Sequence, residues 1–165
     1  MRIRPALEAD FSAMWPIFRA VVAPGSTYVF APETSREDAF AYWFGPGIAS
    51  WVAEEDGEVV GMFKLVANQR DLGSHVGNAS FMVSPAHAGK GIGETMGRHC
   101  LGEAKRAGFR AMQFNFVVST NTAAVALWKK LGFAVVGTIP QAFRHLELGY
   151  VDAYVMHRPL DDVAA

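Results

Sequence analysis

With 165 residues, 51% hydrophobic and 19% charged, the chain is long enough to bury one sizeable core and too apolar to be disordered. A formal net charge of −1 lacks the basic excess expected of a nucleic-acid or membrane-surface binder. A lone cysteine, Cys100, rules out a disulfide within the chain, and no apolar run approaches the ~18 residues that a bilayer crossing requires.

The amino-terminal stretch, Met1 to Phe11, carries charges with no apolar core behind them, unlike a secretory leader. The expectation is one soluble, cytoplasmic domain over residues 1–165. Met1 to Arg4 reads as a short strand stopped by Pro5. Glu8 to Val22 has helical spacing at Phe11, Met14, Trp15, Phe18 and Val22, and Pro16 inside it predicts a kink or a break. The turn-rich stretch Ala23 to Pro32 then carries two aromatics that read as exposed, Tyr28 and Phe30. Thr34 to Glu37 opens a second helix through Phe44, with Phe40, Trp43 and Phe44 on its apolar side.

Ile48 to Glu54 and Glu58 to Val66 read as strands joined at Glu55-Asp56-Gly57, a hairpin signal. His75 to Val83 leads into a glycine-dense loop, Ala88-Gly89-Lys90-Gly91-Ile92-Gly93. A helix follows, with Ile92, Met96, Cys100 and Ala104 four apart until Gly108 closes it. In that pattern Cys100 is a packed apolar residue rather than a nucleophile. Ala111 to Val118 reads as a buried strand. Ser119 to Thr122 starts a last helix with apolar Ala124, Leu127, Trp128 and Leu131; Gly132 takes the left-handed cap position and Phe133 folds back on it. Ala134 to Thr138 and Val151 to Arg158 are the final strands, with a long loop, Ile139 to Tyr150, between them. The order predicts an α/β domain on a mixed sheet.

Strand, glycine loop and helix together aim backbone N–H groups and a positive helix end at an anion. Two nucleotide motifs fail on spacing. A phosphate-loop NTPase needs GxxxxGK[ST], but Gly89-Lys90 is followed by Gly91, which has no hydroxyl for magnesium. A dinucleotide fingerprint needs GxGxxG, and its third glycine is replaced by Glu94 or Met96 in the two available registers.

Val83-Ser84-Pro85 with Ala88 to Gly93 resembles the acetyl-CoA motif of the GCN5-related N-acetyltransferase (GNAT) superfamily. Asn121-Thr-Ala-Ala124 leading to Leu127-Trp128 and Gly132-Phe133 resembles its second motif. The likeness extends along nearly the whole chain, nearest in pattern to phosphinothricin and amino-acid acetyltransferases and to those acting on proline analogues. It implies an α/β fold with a mixed, mostly antiparallel sheet of six or seven strands and about four helices. Two central parallel strands would splay so that the pantetheine arm of acetyl-CoA lies between them. On that resemblance Met82 and Val83 give backbone contacts to pantetheine and thioester, and Ala88, Gly89, Lys90, Gly91, Ile92, Gly93 and Glu94 surround the pyrophosphate. Asn121 bonds the pantetheine arm beside Ala124 and Trp128, and Lys90 or Lys129 is placed to meet a phosphate. No metal is implied.

Three departures bear on the chemistry. Ala88 replaces the usual Gln or Arg. Trp128 stands where many members have a tyrosine acid, and an indole N–H is no such acid. Asn78 stands where phosphinothricin-type members carry a glutamate base. Candidate catalytic residues are therefore Asn115, His145 and Tyr150; candidate acceptor contacts are Tyr28, Phe30, Arg36 and Asn78. The expected activity is acetyl transfer from acetyl-CoA to a small amine, an amino acid or an analogue. An acetyl-CoA sensor and a protein lysine or N-terminal acetyltransferase are the alternatives. A homodimer is expected from the relatives.

Overall fold

The structure, a computed structural model, describes residues 1–164. Among the described residues, seven strands and four α-helices follow one another in the order β1 (Arg2–Pro5), α1 (Phe11–Val22), α2 (Arg36–Phe44), β2 (Ala49–Glu55), β3 (Glu58–Ala67), β4 (Val76–Val83), α3 (Ile92–Arg106), β5 (Ala111–Val118), α4 (Thr122–Lys130), β6 (Ala134–His145) and β7 (Gly149–Pro159). They form one sheet in the order β1-β2-β3-β4-β5-β7-β6, in which only β4 and β5 run parallel. No helix among the described residues is long and apolar enough to cross a membrane.

The alternation of strand side chains separates two cores. Phe63, Ala79, Phe114 and Met156 face α3 and α4, where Ile92, Met96, Cys100 and Trp128 meet them. Val52, Met62 and Met82 face the opposite side, against Phe11, Met14 and Phe18 of α1 and Trp43 of α2. Cys100 is buried as a core residue, and that burial pushes its thiol pKa up.

Several expectations are corrected. Pro16 does not split α1, which is continuous from Phe11 to Val22. Phe11, Met14, Ile17, Phe18 and Val22 are all buried along it, and that packing offsets the one hydrogen bond a proline forfeits. Glu8 to Asp10 form a separate 3₁₀ turn, held by Asp10 accepting from Leu7 N–H at 2.7 Å and from both ends of the Arg4 guanidinium. The cap of α2 is Ser35, one residue later than expected, accepting from Asp38 N–H at 3.0 Å. The supposed loop Ile139 to Tyr150 belongs mostly to β6 and β7, which close in a tight turn after His145. A register shift between Ile139 and Phe143, with Gln141 at φ 50°, breaks the alternation that would have marked it as a strand.

The feature that positions the site is the separation of β4 from β5. They pair only at Val76↔Ala111 and Gly77↔Met112. Beyond that, a bulge in β5 between Phe114 and Val117 turns the strand aside while it stays on β7. Trp128, from α4, packs behind the opening with its ring centroid 4.8 Å from both Phe81 of β4 and Phe114 of β5.

Helix α4 is held in place by its ends. Asn121 accepts from Ala124 N–H at 3.3 Å, and Gly132 (φ 90°) lets Phe133 N–H return to Trp128 C=O at 3.0 Å. A Cβ at Gly132 would stand 2.9 Å from Arg158 Nε, which donates to Leu131 C=O at 2.6 Å. Gly132→Ala should therefore lose about 1–3 kcal/mol, or ~2–4 °C of melting temperature per kcal/mol. Gly137→Ala, where an added Cβ meets nothing, should change the melting temperature by less than a degree or two in the same thermal scan.

Candidate active site

The divergence of β4 and β5 opens a cleft of about 760 Å³. It runs from the start of α3, between the strands, to the loop joining α1 and α2.

At its first end lies the anion cradle. Gly89 (φ 78°) and Gly91 (φ 77°) turn the loop in left-handed conformations, and a Cβ at either would point into open space rather than into protein. The first helical bond of α3 is Thr95 N–H to Gly91 C=O. The N–H groups of Ile92, Gly93 and Glu94 thus precede any bond within the helix and face the cleft mouth. Glu94, a carboxylate at a site suited to anions, is held by Lys130 Nζ at 2.6 Å and by Arg98 at 2.9 Å. Those bonds depress its pKa, so it stays ionised with its charge matched by two cations. His87 also lines the cleft, with a buried Nδ1 that has no protein partner.

The middle of the cleft is a groove with one backbone wall. Ser84 N–H donates to Val60 C=O and Asn68 N–H to Val76 C=O, each at 2.8 Å, which fixes the phase of the β3–β4 ladder. Even-numbered residues of β4 spend their main-chain groups on β3; Ala79, Phe81 and Val83 direct theirs towards β5. Met82, expected to supply a backbone contact, is corrected on this ground: its N–H and C=O belong to β3 and its side chain to the α1 core. Phe81 and Val83 point the right way, but the Tyr28 hydroxyl already bonds the N–H and C=O of Phe81, which leaves Val83. Asn121, Ala124 and Trp128 form the α4 wall. Trp128 acts there through ring packing, which accounts for an indole where an acid was looked for.

The far end is polar but contains no carboxylate. Asn78 and Ser80 project from β4 on the α1/α2 face, and Ser80 Oγ lies 2.5 Å from the hydroxyl of Tyr42. Asn115, at the β5 bulge, donates to Asn68 at 2.6 Å and accepts from Gln113 at 3.0 Å. Tyr28 and Phe30 fold over this end, Phe30 edge-on to Tyr42 with ring centroids 4.7 Å apart. They are half-buried pocket walls and not exposed loop aromatics. Behind Tyr42, the buried Lys64 Nζ sits 3.2 Å from its ring centroid and donates to its C=O at 2.8 Å.

Four candidates lie outside the cleft lining. Arg36 is exposed at the start of α2, with its guanidinium 5.0 Å from the Phe11 ring. Tyr150 is 68% exposed on β7, opposite Arg144. His145 is buried, and its Nδ1 accepts from the N–H groups of Glu147 and Leu148 at 3.1 Å, so its visible task is to cap the β6–β7 turn. Lys90 is exposed beside the cradle rather than within the cleft wall. Conversely, Tyr42, Ser80, Phe81 and Lys64 were not anticipated. Lys64 sits in an apolar strand run, Met62-Phe-Lys-Leu65, and that misfit was the available signal. No cluster of three or more His, Cys, Asp or Glu able to hold a metal occurs among the described residues.

Comparison with known proteins agrees with this geometry. The profile of the acetyltransferase (GNAT) family matches residues 10–133. A GCN5-related N-acetyltransferase from Kribbella flavida superposes with a TM-score of 0.91 at 46% identity, covering 96% of each chain. The structure of yncA from Salmonella typhimurium, solved with its cofactor acetyl-CoA, gives 0.86 at 29% identity over all of this chain and 96% of its own. The L-methionine sulfoximine/L-methionine sulfone acetyltransferase of Salmonella typhimurium is 31% identical over this whole chain and 98% of its own.

The buried ammonium behind Tyr42 makes the electrostatics of the far end measurable. Burial pulls the Lys64 pKa down to about 8 from its ordinary 10.5. Between those values the unfolded chain holds a proton that the folded chain does not, so stability gains with rising pH there and the full cost of the buried charge applies below pH 8. The melting temperature of the native protein minus that of Lys64→Met should accordingly rise between pH 7.5 and pH 10. A difference that stays flat over that range would place Lys64 in water.

Proposed function

The chain belongs to the acetyltransferase (GNAT) family, and on that footing we propose that it moves the acetyl group of acetyl-CoA to the amine of a small, carboxylate-bearing acceptor, an amino acid or an analogue. The observation that carries the reading is the cleft's division into an anion cradle, a groove along a free strand edge, and a polar end without carboxylates.

The residues present fit the donor. The N–H groups of Gly91 to Glu94 suit the pyrophosphate, with the orphaned His87 Nδ1 beside them. The free main-chain groups of Val83 suit an amide-bearing arm, and Asn121 and Trp128 form its opposite wall. Bound there, acetyl-CoA supplies an activated thioester. The amine nitrogen attacks the carbonyl carbon, a C–N bond forms, and the C–S bond breaks with its electron pair going to sulfur. The proton shed by nitrogen leaves through water and a proton returns to the thiolate. No step calls for a carboxylate base if the acceptor reacts from its neutral fraction, and alignment in the cleft supplies much of the rate.

The acceptor assignment rests on charge. Asn78, Ser80 and Asn115 offer neutral donors, the Lys64 ammonium stands behind Tyr42, and the nearest cleft carboxylate, Glu94, lies at the cradle. A carboxylate is favoured there and a simple polyamine is not. The aromatic cover of Tyr28 and Phe30 suits a small acceptor better than a protein chain. The reading extends to one catalytic domain, cytoplasmic, acting as a homodimer; exposed Leu146, Leu148 and Tyr150 at the β6–β7 turn support an apolar contact between copies. Sedimentation velocity at micromolar concentration should give twice the mass of the chain, about 36 kDa from a 17.9 kDa protomer.

The test is thiol release with a panel of free amino acids, their sulfoximine and cyclic analogues, and the matching decarboxylated amines. Carboxylate-bearing acceptors should react at least tenfold better in kcat/KM. Asn115→Ala should lower that value by about 10–100-fold, the loss of one or two substrate hydrogen bonds. Gly91→Ala should weaken acetyl-CoA binding by about tenfold or more in calorimetry, since its backbone conformation is strained for alanine and the new methyl fills the cradle. Tight acetyl-CoA binding without thiol release on any amine would instead leave a sensor.

A further inference from the structure

Of the three β4 residues whose main-chain groups point into the opening, Phe81 is already engaged, and by a side chain from another layer. The Tyr28 hydroxyl accepts the Phe81 N–H at 3.2 Å and donates to the Phe81 C=O. Tyr28 belongs to the loop between α1 and α2, 53 residues away in sequence, and reaches the sheet from the face opposite Trp128. Its ring lies along Phe30, centroids 6.4 Å apart, so its position is set by the same aromatic cover that closes the acceptor end.

We propose that Tyr28 is a catalytic residue whose O–H, together with the Phe81 N–H, holds the thioester carbonyl oxygen while the amine attacks. The proposal rests on the acetyl-transfer reading above. The Phe81 N–H is aimed at the Tyr28 oxygen 3.2 Å away, so a carbonyl oxygen entering where β4 loses its neighbour takes the Tyr28 O–H and shares the Phe81 N–H with the hydroxyl. A phenol hydroxyl turns about its C–O bond, so it can move its proton from the Phe81 C=O to that oxygen while the ring stays still. Of the other polar side chains at this end, Tyr42 bonds Ser80 and Asn115 bonds Asn68 and Gln113, while Asn78 is left to meet the acceptor. Burial raises the Tyr28 pKa far above neutrality, which keeps the group a donor throughout. As the amine attacks, the carbonyl π pair moves onto oxygen and is held by the two donors. It returns as the C–S bond breaks, the thiolate takes the C–S pair, and the proton from nitrogen passes to water. Tyr28 gives up no proton.

The decisive readout is the carbonyl stretch of acetyl-CoA labelled with ¹³C at the thioester, recorded by isotope-edited infrared spectroscopy on the complex without acceptor. In the native protein the band should lie below its position in water, and Tyr28→Phe should move it back up. The same variant should lower kcat by about 10²–10³-fold, the usual cost of one such donor, with acetyl-CoA affinity changed by less than about threefold. An unmoved band with turnover within about threefold of native would leave Tyr28 as a tie between loop and sheet and overturn the proposal. Should Tyr28→Phe fail to fold, 3-fluorotyrosine in place of Tyr28 keeps the ring and strengthens the donor. The band should then fall further, and a stationary band would overturn the proposal equally. A native protein that shows no bound carbonyl band at all would sink the acetyl-CoA reading, and this one with it.

Discussion

A parallel strand pair that stops after two residue pairs leaves a row of main-chain donors and acceptors inside the protein, and such groups need partners. Everything else in the site follows from how β4 and β5 are kept apart. The β5 bulge lets that strand leave β4 without leaving β7. Trp128 packs on Phe81 and Phe114 at equal distance and keeps the two strands from closing over the gap. The caps at Asn121 and Gly132 fix the helix that carries Trp128, so a residue at the usual acid position contributes shape instead of protons. The fold thereby maintains an unpaired strand edge at the centre of a sheet, where a ligand with amide groups can lie as a missing strand.

The cleft's electrostatics divide the same way. At the cradle, backbone N–H groups and a helix terminus provide a positive end without any committed side chain, and the one local carboxylate is matched by Lys130 and Arg98. At the acceptor end the groups are hydroxyls and amides, with one ammonium held behind an aromatic ring. An amine that arrives protonated finds no base there, and an acceptor bearing a carboxylate finds donors. On the proposed reading, the preference for a carboxylate-bearing acceptor follows from the neutral side chains that β4 presents on the α1/α2 face.

The donor half was largely legible in the sequence because it depends on local features. The glycines at 89, 91 and 132 need left-handed backbone, Asn121 caps the helix it precedes, and the spacing of Ile92, Met96, Cys100 and Ala104 is that of the buried face of α3. The acceptor half was less so, because it depends on ladder phase and on strands that break their own period. Whether Met82 or Val83 has free main-chain groups turns on the alternation of the β3 ladder, which no single strand reveals. Pro140 and the bulge near Gln141 hid the second half of β6, so His145 and Tyr150 were read as loop residues near the site when they occupy a strand end and a solvent-exposed strand face. Tyr42 was hidden in a different way, lying between the two faces of α2 and noticed only once Ser80 and Lys64 are beside it.

The central claim is that acetyl-CoA completes the free edge of β4, and amide hydrogen exchange resolved to single residues tests it most directly. Adding acetyl-CoA should slow exchange at Val83 and at Ile92 to Glu94, while Met82, already bonded to β3, should be unchanged within error. Equal slowing at Met82 and Val83, or no slowing at either despite saturated binding, would contradict the account.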